Sequence, residues 1–240
     1  MTFRWMSGEP EDLGLDPQRL NRLEAELIGR GTKTFLVARK GRIVRECYAE
    51  GFGPDVKHHT ASLAKALVGG ASLMFAMADG LIDPDDAASE YVPEWKGDPT
   101  REEITVRHLA THSSGIQDAE IYNRSHEGLP GWMGDFWRRG PNPFTISRDR
   151  APTIFRPGSD CHYSNPGMAM LAYVVTASLR DSDHTDIRSL LRARLMVPIG
   201  VSGEAWSCGY GKTYAVNGLP LVANRGGGGY RLGRSSRSPG

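Results

Sequence analysis

A serine and a lysine three residues apart open a long apolar run. They are Ser62 and Lys65, in the tetrapeptide Ser-Leu-Ala-Lys. Residues three apart share one face of a helix, so the Lys65 amine can reach the Ser62 hydroxyl. A serine is a weak nucleophile until a neighbouring base takes its proton, and an uncharged amine can do so. The pattern predicts nucleophilic catalysis, although an ordinary N-cap serine followed by a solvated lysine would give the same four letters.

A second polar group, Tyr163-Ser164-Asn165, lies far downstream, just before another apolar run. A phenol can accept or relay the serine proton, and an Asn amide can hold a substrate amide or the lysine in place. The sequence Ser-Asn-Pro is also good turn chemistry, so this tripeptide alone fits a plain turn equally well. The order of the two patterns, with a helical stretch between them, favours a joint site.

Three further segments carry a family resemblance. Residues 105–116, Thr-Val-Arg-His-Leu-Ala-Thr-His-Ser-Ser-Gly-Ile, closely resemble the segment between the two motifs in class C β-lactamase-like proteins of the penicillin-binding superfamily. Phe-Arg-Pro-Gly at 155–158 and Tyr-Ser-Asn-Pro-Gly at 163–167 are similar to theirs as well. The resemblance extends from about Leu13 to Tyr230.

The resemblance implies a role for each motif residue. Ser62 would be acylated, Lys65 and Tyr163 would share the proton transfers, and Asn165 would contact the substrate. The implied activity is that of a serine hydrolase, acting through an acyl-enzyme on a small ester, amide or β-lactam and needing no cofactor or metal. The alternative is a non-catalytic or truncated family member, acting as a binding or sensing protein or left as an inactive remnant.

The chain departs from the family at its third motif, Lys-Thr-Gly or His-x-Gly on an edge strand. Lys212-Thr213 is followed by Tyr214, and the glycine-rich residues 225–229 resemble a loop upstream of that motif. We therefore expect the third motif, the second oxyanion donor and part of the sheet to be missing from this chain. Weak catalysis, and assembly with another chain through an uncovered sheet edge, are the expected consequences.

The elements that would position these residues can be predicted from turns and periodicity. Asp16-Pro17 and an apolar stripe predict a helix from about Pro17 to Ile28, and two β-rich runs, Thr34 to Ala38 and Ile43 to Tyr48, predict a hairpin. The apolar run that starts at Ser62 should be a buried central helix that ends near Asp79-Gly80.

The rest of the chain predicts a helical region and then strands. Short helices broken by Pro and Gly are expected between Pro84 and Pro198, and Asn217-Gly218 should turn a hairpin between Thr213–Val216 and Leu219–Ala223. We predict an α+β fold, with sequence-distant strands in one antiparallel sheet flanked by helices and a helical insert. One domain is expected over 1–230, its sheet part about 1–60 and 205–230 and its helical part about 61–204. Residues 231–240 should be a disordered tail.

Other site types are weaker interpretations of the sequence. Gly209 to Thr213 superficially resembles a phosphate loop but lacks its first glycine, and a strand signal follows where a helix is needed. His108 and His112 could share zinc, yet Leu109 stands where a zincin has Glu, and His112 fits a turn. There is no Gly-x-Ser-x-Gly elbow. Three aromatic residues could line an acyl pocket or simply pack, and packing is favoured: Trp132, Phe136 and Trp137.

Composition narrows the class of partner. With 29 basic and 28 acidic residues the net charge is +1, so no global field would recruit nucleic acid or a membrane, and a small-molecule substrate is expected. The three cysteines, Cys47, Cys161 and Cys208, are far apart and predict reduced thiols. The sequence shows neither a secretory signal nor a spanning apolar run, so we expect a soluble, cytoplasmic protein.

Overall fold

The structure is a computed structural model that describes residues 5–54, 56 and 58–224, together with the backbone of 229–230. Strands lie towards both ends of the chain and helices lie between them, which confirms the α+β class. The glycine-rich residues 225–228 and the predicted tail, 231–240, lie outside the described residues. The helices are α1 (Pro17–Gly29), α2 (Ala71–Ala78), α3 (Ala88–Tyr91), α4 (Val106–Ala110), α5 (Gly131–Arg138), α6 (Pro143–Asp149), α7 (Asn165–Ser178) and α8 (Ile187–Leu191). The strands are β1 (Met6–Ser7), β2 (Thr34–Arg39), β3 (Arg42–Tyr48), β4 (His58–His59), β5 (Trp206–Ser207), β6 (Tyr214–Val216), β7 (Leu219–Leu221) and β8 (Gly229–Tyr230).

Local sequence signals explain several of these boundaries. The Asp16 side chain accepts backbone hydrogen bonds at the start of α1, as the predicted N-cap requires. Lys40 and Gly41 both have positive φ between β2 and β3, and so do Asn217 and Gly218 between β6 and β7. Two consecutive positive φ angles define the type I′ turn, which matches the natural twist of a two-stranded hairpin. Both predicted hairpins are confirmed.

The strands form three small sheets, ordered β1-β3-β2, β4-β8-β5 and β6-β7. The expectation of one shared sheet is confirmed for β4, β8 and β5, where antiparallel pairing joins the two ends of the chain. It is wrong for the β2–β3 hairpin, which pairs only with the parallel strand β1 among the described strands. The hairpin turns are local and specify their own pairing, whereas joining two hairpins into one sheet depends on distant contacts.

The helix that follows Ser62 is buried on one side only. It begins with a π-helical segment, Lys65–Gly70, and continues as α2 to a C-terminal turn at Gly80, whose φ is +69°. Val68 lies in the core, whereas Leu63 is 58% exposed and Met74 is 69% exposed. The prediction of a buried central helix is therefore wrong for one face, because apolar composition does not specify which sides are covered.

Helix α7 is the central buried helix of the fold. It is apolar around its whole circumference, and all its residues except the last are buried. Helices α3, α4, α6 and α8 and strand β7 pack around it, and so does the helix that follows Ser62. This arrangement confirms the predicted helical region and positions the residues at the start of α7. No helix in the described part of the chain is long and apolar enough to cross a membrane.

Two loop segments, residues 113–115 and 154–158, run antiparallel to each other. The N–H of Gly158 donates to the Ser113 carbonyl at 2.9 Å, and the N–H of Ile154 donates to the Gly115 carbonyl at 2.9 Å. Gly115 has φ +78°, and a Cβ at this residue would lie 2.1 Å from the Phe155 carbonyl oxygen. The two segments can approach this closely only because residue 115 has no side chain.

We predict that Gly115→Ala destabilises the fold by about 3 kcal/mol, through the left-handed backbone and the overlap with Phe155 combined. Gly41→Ala is the matched control, since its φ is +72° and a Cβ there meets nothing within 4 Å. The control should lose only about 1 kcal/mol. Urea unfolding followed by circular dichroism measures both changes, and equal losses in the two variants would contradict the close approach.

Candidate active site

The Ser62 hydroxyl lies between a lysine amine and a phenol. Lys65 Nζ is 3.0 Å from Ser62 Oγ, and the Tyr163 hydroxyl donates to the same oxygen at 2.8 Å across 101 residues of sequence. Lys65 is buried, and its Nζ lies 4.7 Å from the centre of the Tyr163 ring. Ser62 itself is exposed. The structure thus brings together three of the four residues chosen from the sequence, with the serine open to a ligand.

The backbone at Ser62 also suits a nucleophile. Ala61, just before it, has φ +44°, a left-handed conformation that is unfavourable for a residue with a Cβ. The Ser62 carbonyl accepts the Lys65 N–H at 3.0 Å, while the Ser62 N–H donates to no acceptor in the described part of the chain. A free N–H at the start of a helix is available to a negatively charged oxygen.

Asn165 is held by two carboxylates. Its backbone N–H donates to Asp118 Oδ1 at 2.8 Å, and its side-chain NH₂ donates to Asp118 Oδ1 at 3.0 Å and to Glu120 Oε1 at 3.3 Å. Ionised carboxylates only accept hydrogen bonds, so the NH₂ group must face them. Asn165 is 3% exposed. The side-chain atom of Asn165 that does not face the carboxylates is therefore its carbonyl oxygen, Oδ1.

The loop that carries these carboxylates is supported by α5. Trp137 Nε1 donates to the Ala119 carbonyl at 2.6 Å, and its ring stacks on His126 at 3.6 Å. His126 Nε2 lies 3.4 Å from Glu120 Oε1. Phe136 is fully buried in the core. These contacts favour the packing interpretation of the aromatic residues on α5.

His112 lies against Tyr163, with ring centres 4.7 Å apart and planes 30° apart. The Ser164 N–H donates to His112 Nδ1 at 3.1 Å. Burial, and next the positive charge of Lys65, lower the pKa of His112, while the charge of Asp118 opposes them. The neutral imidazole therefore persists to a lower pH than that of a free histidine.

An open cavity of about 250 Å³ lies beside these groups. Its lining is apolar except for Lys65 and His112, and the apolar lining residues are Ala66, Gly70, Ala110, Met168 and Leu171.

The weaker interpretations of the sequence find no support in the geometry. Lys212 and Thr213 contact Arg188 on α8, and the short strand β6 follows them, so they match neither the family's third motif nor a phosphate loop. His108 Nδ1 accepts the Thr105 N–H in a capping box. In the described residues no three potential ligand side chains are grouped for a metal.

Sequence reasoning missed three residues of the site: Asp118, Glu120 and His112. Carboxylates in loops are common, and nothing local shows that these two reach the start of α7. His112 was interpreted as a turn residue, which its φ of +60° confirms, but its contact with Tyr163 depends on the folded loops. Its place inside the family-like segment was the available signal.

Comparisons with known proteins agree with this fold. The chain is 41% identical over 120 residues to a 6-aminohexanoate-dimer hydrolase of Paenarthrobacter ureafaciens, an alignment over 48% of this chain and 30% of that protein. A solved structure from Bacillus anthracis, assigned as a 6-aminohexanoate-dimer hydrolase, is similar with a TM-score of 0.65 and 17% identity, over 96% of this chain and 60% of that one. A class C β-lactamase is similar with a TM-score of 0.57 and 16% identity, over 88% of this chain and 59% of that one.

This chain therefore spans about 60% of the length of these two structural neighbours. The family model described as Beta-lactamase matches residues 20–207, a range that includes Ser62, Lys65, Tyr163 and Asn165. Because that match covers most of the sequence, the chain belongs to the β-lactamase family.

Proposed function

We propose that this chain is a serine hydrolase that forms an acyl-enzyme on Ser62, with a small amide, ester or β-lactam as its substrate. The observation that supports this most directly is the position of Ser62 Oγ, within 3.0 Å of Lys65 Nζ and 2.8 Å of the Tyr163 hydroxyl. Two groups able to move a proton at one exposed hydroxyl are what nucleophilic catalysis by serine requires.

The proposed reaction has two halves. Ser62 Oγ attacks the substrate carbonyl carbon and gives up its proton to a base. The base is either Lys65 with an uncharged amine or Tyr163 with an ionised hydroxyl. Collapse of the tetrahedral intermediate breaks the bond to the leaving nitrogen or oxygen, which takes that proton. Water then attacks the Ser62 ester, returns a proton to Ser62 Oγ and releases the acid.

The free N–H of Ser62 supplies one donor to the oxyanion. A second donor normally accompanies it, and losing one donor typically costs about 10² to 10³-fold in kcat. Among the described residues we assign one donor, the Ser62 N–H, which makes no backbone hydrogen bond there. With one assigned donor, we expect Ser62 to be acylated more readily by an activated ester than by an amide, because the activated ester needs less stabilisation of the oxyanion.

Asn165 supports an amide as the natural substrate. Both hydrogens of its side chain face Asp118 and Glu120, so the NH₂ group does not donate to a substrate carbonyl. The remaining group, Oδ1, would accept a hydrogen bond from a substrate N–H. The relative with 41% identity over 120 residues is named a 6-aminohexanoate-dimer hydrolase. A substrate with an N–H close to its reacting carbonyl fits this arrangement.

Labelling tests the nucleophile. A fluorophosphonate should attach to Ser62, and Ser62→Ala should abolish the adduct seen by intact mass spectrometry. Ser159→Ala, at an exposed serine outside the site, is the control and should label normally. Adducts that survive Ser62→Ala would refute the nucleophile, and binding without any adduct would favour the non-catalytic alternative.

The proton transfers can be tested through the bases. Lys65→Arg keeps the positive charge but cannot lose a proton, and Tyr163→Phe removes the hydroxyl. Each should lower the rate of Ser62 acylation by a p-nitrophenyl ester by about 10²-fold or more. Release of p-nitrophenol in the first turnover is the measurement. Rates close to wild type in both variants would assign the proton transfer to other groups.

The substrate contact can be tested with two matched acyl donors. In one compound an amide N–H is bonded to the carbon atom adjacent to the reacting carbonyl group. In its isostere an oxygen atom replaces that N–H. The N–H compound should acylate the wild-type protein about 10-fold faster than its isostere does. This is the scale of one hydrogen bond whose acceptor, Asn165 Oδ1, is left unpaired by the oxygen compound. Asn165→Ala should erase the ratio. Because each protein is compared with itself, a general loss of stability does not affect the result, and an unchanged ratio would contradict the contact.

A further inference from the structure

His112 occupies a backbone position that usually belongs to glycine. It follows α4 with φ +60°, and the Ser113 N–H donates to the His108 carbonyl at 2.9 Å, five residues back. This is the helix-ending arrangement in which glycine is favoured, because it has no Cβ to crowd the left-handed backbone. A histidine there costs stability, so its side chain must contribute something that glycine would not.

His112 contacts Tyr163 and both of the residues that flank it in sequence. Its carbonyl accepts the His162 N–H at 2.9 Å, and its Nδ1 accepts the Ser164 N–H at 3.1 Å. Its ring also packs against the Tyr163 ring. One residue therefore holds the backbone immediately before and after the tyrosine and limits the movement of its ring.

The hydrogen bond from Ser164 also fixes the tautomer. Nδ1 must keep a lone pair to accept that bond, so the neutral imidazole carries its proton on Nε2. A second proton would occupy Nδ1 and break the bond. The charged groups that face the ring are Lys65, which opposes protonation, and Asp118, which favours it.

We propose that neutral His112 is the positioning residue that holds the Tyr163 hydroxyl on Ser62 Oγ, and that protonation of His112 releases Tyr163. This rests on the proposed serine-hydrolase function. His112 touches neither the substrate nor the reacting atoms in this role, and acts through the tyrosine.

His112→Asn is the test variant. Asn tolerates the left-handed backbone, and its Oδ1 can replace Nδ1 as the acceptor for Ser164, but it has no ring and does not titrate. The expected result is a loss of about 10- to 10²-fold in Ser62 acylation, with an unchanged unfolding midpoint. His162→Asn is the matched control, because its exposed ring lies next to Tyr163 in sequence and pairs with Asp160. The control should acylate at the wild-type rate.

The pH profile separates positioning from a purely structural role. Because the pKa of His112 is lowered by burial and by Lys65, the neutral form is complete above the usual histidine range and is lost as pH falls below it. Wild type should show an additional protonation step in the acid limb of the acylation rate, below about pH 6.5. His112→Asn should lack that step while the His162→Asn control keeps it.

The position of Tyr163 can also be followed by NMR, without acylation of Ser62. In protein labelled with [ζ-¹³C]tyrosine, the Tyr163 resonance, identified by its absence in Tyr163→Phe, should shift over the same acid pH range in wild type and stay constant in His112→Asn. Wild type that is never acylated would refute the proposed function, while the Tyr163 shift would still support the positioning role. A Tyr163 resonance that does not respond to His112 would overturn the inference.

Discussion

Burial of α7 on all sides is the constraint on which the rest of the structure depends. A helix that is apolar around its circumference must be surrounded, and here other helices and the β6–β7 hairpin supply that surrounding. The packing fixes the start of α7, and with it the loop that ends in Tyr163. The same core holds the buried face of the helix that carries Lys65. The distance between the phenol and the serine is therefore set by core packing rather than by the loops alone.

How much could be predicted from the sequence depended on how local each signal is. Both hairpins follow from two-residue turns, and Ser62 with Lys65 follows from three-residue spacing on a helix. Tyr163 could be chosen from the order of the two motifs along the chain, and a family resemblance supported that choice. The exposed face of α2 could not be predicted, because periodicity does not tell which neighbours a helix has. The roles of Asp118 and His112 also depend on which loops meet in space.

The helix that follows Ser62 is buried on one side and exposed on the other. Its core-facing side is fixed by Val68, while Leu63, next to Ser62, and Met74 on α2 are exposed to water. The described core contacts of this helix are therefore on one side, and the Ser62 hydroxyl is held in addition by Lys65 and Tyr163.

The span of 101 residues between Ser62 and Tyr163 has a consequence in time. A ribosome adds about 5 to 20 residues per second, so Ser62 is made roughly 5 to 20 seconds before Tyr163. Tyr163 reaches its position only after α7 has been synthesised and packed. During that interval the nascent chain carries Ser62 beside Lys65 without the Tyr163 hydroxyl, and the group of three first exists when the loop before α7 is in place.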